Sequence, residues 1–328
     1  MLKRGGKYLL LAQRHKWKVL WFLGGLLGIG ALFYFFPLEW MELKSRWELS
    51  RSGIVERDYP ADQAVLHGYE RSTCGPKASA CTCVAFIHGL ADNALTWRRI
   101  LDVRPEVLER MGLARPFRFL ALDLPGSGKS PVPTQLENYR VRKQAAQVIA
   151  ALKPVCSEWV LVGNSLGGWV ATWVALDWPE GIRRLLLLAP AGLKSSSEGI
   201  SSGRLLTEPT VESLKEFQKK AYFKPRSIPE NVWNEIVRRA KTGHSREISA
   251  AQKEEDYLDS KFGSLRVPTL LVWGTEDRII PIATGYKMRD LLRTLIWREI
   301  PECGHLPQKE CPLPVIQGIV DLMNYGAM

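Results

Sequence analysis

The sequence predicts an α/β fold, a mostly parallel sheet flanked by helices, and three observations carry that reading. Six short apolar runs recur along the chain: CTCVAFI (81–87), FRFLALD (117–123), EWVLVG (158–163), RRLLLLA (183–189), TLLVWG (269–274) and LIWREI (295–300). Most are near-continuous rather than alternating, as strands covered on both faces must be. Helical patterns separate them, the alternation expected where crossover helices join parallel strands.

The 328 residues are 46% apolar and 24% charged, ordinary globular material rather than a disordered chain. The formal charge of +11 looks at first like a nucleic-acid footprint. Lys3, Arg4, Lys7, Arg14, Lys16 and Lys18 supply six of those charges, with no acid among the first 36 residues. The excess left for the rest is usual for a solvated surface, and no zinc-finger, RNA-binding or helix-turn-helix signature accompanies it, so no nucleic-acid partner is expected.

Residues 1–18 read as a basic N-terminus. Val19 to Phe36 is a run of 18 residues without a charge, closed by Pro37. That length is at the lower limit for a spanning helix and exceeds a signal-peptide core, so 19–36 is expected to be a transmembrane anchor. The rival is a signal cleaved at the small residues Gly28 and Gly30. Cations before the run and Glu39, Glu42 and Glu48 after it place the N-terminus in the cytoplasm and the bulk of the chain on the non-cytoplasmic side, the periplasmic face of the inner membrane if the source is bacterial.

Residues 37–46 read as a linker, and 47–192 with 263–328 as the core. Segments around Trp47–Val55 and Ala64–Tyr69 are candidates for leading antiparallel strands. Between Leu193 and Leu265 the strand signal disappears, and 193–262 is expected to be an inserted helical cap, a long excursion of the kind that carries function. Within it Lys219, Lys220, Lys224 and Arg226 interleave with Phe217, Tyr222 and Phe223. Either the aromatics pack inside the cap beneath a solvated basic face, or the stretch rests on a lipid surface.

Six cysteines, Cys74, Cys81, Cys83, Cys156, Cys303 and Cys311, permit disulfides, although the pairing is not legible. Cys81 and Cys83 alternate in a strand and read as small buried residues. No Cys or His falls at zinc-ligand spacing, so no metal is expected.

The strongest chemical signal is Gly163-Asn164-Ser165-Leu166-Gly167-Gly168, between the strand EWVLV and the helical WVATWVALD. A serine on a tight strand-to-helix turn needs small flanking residues, because the backbone there packs closely on its neighbours, and Gly163 and Gly167 meet that need. A serine hydroxyl is a weak nucleophile without a base. Of five histidines, only His305 follows the last strand, where the chain order serine, acid, histidine requires the base. An acid must fix its tautomer, and Asp277, just past TLLVWG, is the candidate, with Glu276 as local rival. The backbone N–H groups of Leu166 and Leu90 are the expected oxyanion donors, Leu90 following His88 and Gly89. His88 reads as a structural hydrogen-bonding residue. The segment DLPGSGKS (123–130) ends like a phosphate-binding loop, but Asp123 stands where glycine is required, and Pro131 and Pro133 spoil the helix that would follow.

Together HGLAD, DLPGSGKS, GNSLGG, LLLLAPAGL, VPTLLVWGTEDRIIP and CGH, spread over residues 83–306, resemble the α/β-hydrolase superfamily. The N-terminal anchor, APAGL and CGH look most like the membrane-bound monoacylglycerol lipase-like hydrolases. The resemblance implies an α/β-hydrolase fold, no cofactor, a helical cap over the site and an acyl ester substrate, lipid-like given the anchor. Serine rather than aspartate at 165 departs from epoxide hydrolases and haloalkane dehalogenases. Three alternatives stay open: a carbon–carbon bond hydrolase acting on ring-fission products, a non-lipolytic esterase, and a catalytically silent binding protein on the same scaffold.

Overall fold

The computed structural model describes residue 34 and residues 36–324, apart from 63, 76–80, 195–202 and 293–294. Eight strands form one sheet in the order β1-β2-β4-β3-β5-β6-β7-β8. They are β1 (Val55–Ala61), β2 (Ala64–Ser72), β3 (Thr82–Ile87), β4 (Phe117–Leu122), β5 (Trp159–Asn164), β6 (Ile182–Leu188), β7 (Thr269–Gly274) and β8 (Leu295–Ile300). β1 pairs antiparallel with β2 and β2 antiparallel with β4, while every later pairing is parallel.

The six apolar runs are the six parallel strands, and their continuity has the expected cause. Ala85, Ile87, Leu161, Leu185 and Leu271 enter one core cluster, while Val84, Phe86, Val160, Leu186 and Leu270 enter another across the sheet. Successive residues point to opposite faces and both faces are covered. Helix α4 (Val141–Leu152) and helix α5 (Leu166–Asp177) cover one face; helix α11 (Pro312–Asn324) covers the other with Val315, Ile316 and Ile319. Each such aliphatic side chain, fully buried, contributes roughly 1.5–3 kcal/mol. Other helices include α1 (Pro37–Arg51), α2 (Arg98–Leu101), α3 (Pro105–Arg110), α6 (Val211–Ala221), α7 (Glu230–Thr242), α8 (Ser245–Ala251), α9 (Ile282–Leu291) and α10 (Pro307–Glu310).

Two expectations at the N-terminal side are corrected. Residues 37–46 are not a linker but the opening turns of α1, and Trp47 lies in that helix rather than in a strand, which starts at Val55. Leu, Glu, Met and Lys favour helix, Pro37 is pre-organised for its first turn, and Glu39 complements its dipole. The helix is held by tertiary contacts: Leu49 is buried, Glu48 pairs with Arg98 at 2.7 Å, and Glu39 and Glu42 pair with Arg239 of α7. Ala64–Ser72 is the strand expected there. The anchor expected at 19–36 lies almost wholly outside the described residues; among the described residues no helix is long and apolar enough to cross a membrane.

The helices α6, α7 and α8 fall inside the stretch expected as a cap. Thr210 and Ser213 cap α6 reciprocally, each side-chain oxygen accepting from the other's backbone N–H. Leu214 of α6 meets Trp233 and Val237 of α7 in a small core of their own. A buried salt bridge ties this layer to the body: Arg140 donates to both oxygens of Asp256, at 2.9 and 2.8 Å.

The cysteines pair as Cys74–Cys81, Cys83–Cys156 and Cys303–Cys311. The reading of Cys81 and Cys83 as merely small buried residues is therefore replaced: each holds a different partner. Cys83–Cys156 spans 73 residues and staples β3 to the segment beyond α4. The chain-entropy account assigns such a loop about 4 kcal/mol. Replacing both cysteines by alanine should lower the unfolding free energy by about 2–5 kcal/mol in urea titrations of the oxidised protein. A loss under about 0.5 kcal/mol would show that this staple carries no stability.

Candidate active site

Register brings the site together at the carboxyl edge of the sheet. Ile87 pairs with Gly163 and Asn164 with Leu188, so the end of β3 lies beside the turn that follows β5. Gly274 pairs with Ile300, so the loops leaving β7 and β8, which carry Asp277 and His305, start side by side.

Ser165 sits between β5 and α5 with φ +55° and ψ −120°, a conformation that costs roughly 1–3 kcal/mol for a residue with a side chain. Four backbone bonds hold it: its N–H donates to Leu188 O at 3.0 Å, and its carbonyl accepts from Gly168, Trp169 and Ala191. The flanking glycines answer to packing. A Cβ on Gly163 would lie 2.3 Å from Gly167 O, and one on Gly167 would lie 2.2 Å from Ile87 O. Neither neighbour is a side chain that could swing away.

His305 Nδ1 is 2.7 Å from Asp277 Oδ2. The other Asp277 oxygen accepts from the N–H groups of Ile279 and Ile280 at 2.8 and 2.9 Å. Both side chains are buried. Glu276, the rival acid, turns outward to Arg278. With one carboxylate oxygen saturated by backbone, the other fixes the imidazole tautomer and leaves Nε2 for proton transfer.

His88 is 1% exposed, and its ring has no nitrogen to spare. Nε2 accepts from Leu124 N–H at 3.0 Å, which makes Nδ1 the donor to Gly89 O at 2.8 Å. The ring therefore shapes the loop carrying Leu90. Gly89 lies directly behind the serine, where an added Cβ would sit 3.3 Å from Ser165 Cβ. Leu90 and Leu166 line the same cavity as Ser165 and His305. The phosphate-loop lookalike is turned inward instead: Asp123 accepts from Ala94 N–H and, within the loop, from Lys129 N–H, so an internal carboxylate fills the loop's own turn.

Three side chains escaped the sequence reading. Asn164, fully buried, donates to Leu188 O and to His305 O at 3.0 Å each, and its carbonyl oxygen accepts from Gln308. A polar residue closing an apolar strand was the signal. Lys309 lies 2.7 Å from Asp92 and joins α10 to the Leu90 loop. Burial pushes the Asp92 carboxyl up, but the neighbouring ammonium outweighs it and holds the group below the usual carboxylate range. With its folded pKa depressed, the pair adds stability above the ordinary carboxylate pKa and loses it as pH falls through the lowered one. Glu310 is the third.

The cavity has a volume of about 1420 Å³. One wall is the cap's apolar cluster, including Leu206, Leu214, Phe217 and Trp233, and Leu38 and Met41 of α1 reach it as well. Phe217 and Tyr222 line it, while Lys220 and Lys224 pair with Glu216 and Glu302. Charged side chains also reach the lining, among them Asp92, Arg99, Lys309 and Glu310. Among the described residues, one group with metal-ligand chemistry forms, Cys303, Glu310 and Cys311, and its two sulfurs are bonded to each other.

A family model described as the alpha/beta hydrolase family matches residues 84–317. The chain belongs to that family. Among its relatives, a 2-hydroxy-6-oxononadienedioate/2-hydroxy-6-oxononatrienedioate hydrolase of Klebsiella pneumoniae is 28% identical over 248 residues, covering 69% of this chain and 82% of the relative. A 2-hydroxy-6-oxo-6-phenylhexa-2,4-dienoate hydrolase of Burkholderia cepacia is 28% identical over 246 residues, with the same coverages of 69% and 82%. In solved structures, a membrane phospholipase A described as a bacterial virulence factor superposes with a TM-score of 0.75 at 24% identity, covering 94% of this chain and 98% of its own. A meta-cleavage product hydrolase of Pseudomonas fluorescens gives 0.64 at 19%, covering 82% and 97%. At these identities the structural likeness shows the fold. The names of these sequence relatives side with the carbon–carbon alternative more than with the ester expectation, and they do not confirm the monoacylglycerol lipase-like subtype.

Asp277→Asn should keep the fold and lower kcat by on the order of 10⁴-fold, because the wrong tautomer is then held toward Ser165. Retention of more than about a tenth of the activity would remove Asp277 from the site.

Proposed function

We propose that this alpha/beta hydrolase is a serine hydrolase that cleaves carboxylic esters with a long apolar acyl group. The observation that carries the reading is the cavity over Ser165, larger than the ~300–1,000 Å³ of ordinary small-molecule pockets and walled on one side by the cap's apolar cluster. A monoacylglycerol is the simplest substrate of that description. Ser165 Oγ attacks the ester carbonyl as His305 Nε2 takes its proton, and Asp277 stabilises the imidazolium. The Leu90 and Leu166 N–H groups hold the oxyanion. His305 then gives the proton to the leaving alcohol, and afterwards activates the water that frees the acid. No cofactor enters the scheme.

The second reading, hydrolysis of a carbon–carbon bond in a ring-fission product, is favoured by the names of the relatives. It would use the same nucleophile and base on a small dienoate carrying a carboxylate. The two differ in what the cavity wall contributes. Each buried CH₂ adds ~0.8 kcal/mol, about fourfold in affinity or kcat/KM. With aryl esters from acetate to palmitate, kcat/KM should climb at each step until the wall is filled, and a monoacylglycerol should be turned over. A 2-hydroxy-6-oxo-dienoate turned over more than about tenfold faster than every ester would replace this reading with the second.

We further propose that residues 19–36 anchor the chain, with the N-terminus in the cytoplasm and the catalytic domain on the other side of the membrane. The six preceding cations and the three disulfides of the domain support that placement. Leu38 and Met41 follow the apolar run and line the cavity, so an anchored chain would hold its opening near the lipid. Protease added outside the cytoplasmic membrane should digest the domain and spare the N-terminus. Recovery of the protein in a soluble fraction lacking its first 30 residues or so would show a cleaved signal instead.

A further inference from the structure

We infer that Glu310 is a positioning residue that sets the base loop and the cap as one unit, so that His305 is aligned only when the acyl-binding wall is in place. The inference rests on reading His305 as the base.

Glu310 lies at the end of α10, lines the cavity, and has no ion-pair partner among the described residues, although Lys224 and Lys309 are close in sequence or space. A half-buried carboxylate left without a cation must find its donors elsewhere. They are backbone. Oε2 accepts from Gly304 N–H at 2.8 Å and from Phe223 N–H at 3.2 Å, and Oε1 accepts from Lys224 N–H at 2.9 Å. Gly304 is the residue before His305, whereas Phe223 and Lys224 follow the cap helix α6.

The neighbouring bonds run the same way. His305 N–H donates to Ala221 O, the last residue of α6, at 2.8 Å, and His305 O accepts from Asn164 beside the serine. The chains at Gly304 touch so closely that a Cβ there would lie 2.3 Å from Ala221 O. On the far side Cys303–Cys311 closes a small ring that contains both His305 and Glu310. Between the two cap contacts stands Tyr222, which lines the cavity. A displacement of Tyr222 by an acyl chain is therefore passed to the base through one carboxylate and one peptide. The carboxylate has a specific part here. It is acceptor-only, so it can face three N–H groups at once, whereas an amide would present its own N–H₂ to at least one of them.

The test uses the full-length oxidised protein with Glu310→Gln and Glu310→Ala, each checked for a cooperative thermal transition. The readouts are the rate at which a fluorophosphonate labels Ser165, which requires the triad but no particular substrate, and the ratio of kcat/KM for long over short esters. The expected result for Glu310→Ala is a fall in labelling rate on the order of 10- to 100-fold, the size expected for a base displaced by a fraction of an ångström, together with a flattened long-to-short ratio. Glu310→Gln should restore part of both. An unchanged labelling rate in folded variants overturns the positioning, and a reduced rate with an unchanged ratio overturns the coupling. If the variants do not fold, hydrogen exchange in the unaltered protein decides: Gly304, Phe223 and Lys224 should open together, and independent opening of Gly304 contradicts the inference. Wild-type protein that fails to label at all would sink the serine-hydrolase reading, and the exchange measurement would still test the staple.

Discussion

Everything at the carboxyl edge of this sheet depends on a steric constraint, the absence of a Cβ at Gly163 and Gly167. Their neighbours are backbone atoms little more than 2 Å from where that carbon would be. Because β3, β5 and α5 approach so closely, the chain between β5 and α5 has no room for an ordinary turn, and Ser165 takes up the left-handed φ that results. The strain is offset by the four backbone bonds at Ser165 and by the apolar sheet on either side. A hydroxyl is thus presented above the sheet at a point fixed by the register of three strands rather than by a flexible loop.

The other groups are held by the same logic of saturation. Asp277, His88 and Asn164 each have their polar atoms held by partners, at least one of them from another element. Asp277 spends one oxygen on backbone N–H groups and the other on His305; His88 ties Gly89, in the loop that carries Leu90, to Leu124 beyond β4. Asn164 joins the serine's strand to the base's carbonyl, and Asp92–Lys309 joins the Leu90 loop to α10. Desolvated groups gain little net energy from such bonds but lose much if one is broken, so the network specifies a single arrangement.

The sheet was legible because burial on both faces writes a continuous apolar run, and each of the six runs became a parallel strand. The positions of Ser165, Asp277 and His305 after β5, β7 and β8, and the pairing of the last two, could be anticipated because chain order and sheet topology restrict them. Where the reading failed, the information was not local. Residues 37–46 and Trp47 belong to a helix whose stability comes from contacts with Arg98 and Arg239, far along the chain. Disulfide partners such as Cys83 and Cys156 are brought together by the pairing of β3 with β5, which no spacing reveals. Glu310 carried no signal in the sequence because its three donors are backbone groups from two loops.

Substrate choice is where sequence relatives and cavity shape pull apart, since the former carry the names of dienoate hydrolases while the latter offers about 1420 Å³ with an apolar wall on one side. Both chemistries share Ser165, and only the acyl ester predicts a fatty acyl group on it. The most direct measurement is mass spectrometry of the protein quenched within milliseconds of mixing with an aryl palmitate. The account predicts a palmitoyl adduct on the peptide that contains Ser165. An adduct on any other residue, or hydrolysis with no adduct under conditions of accumulating product burst, would contradict it.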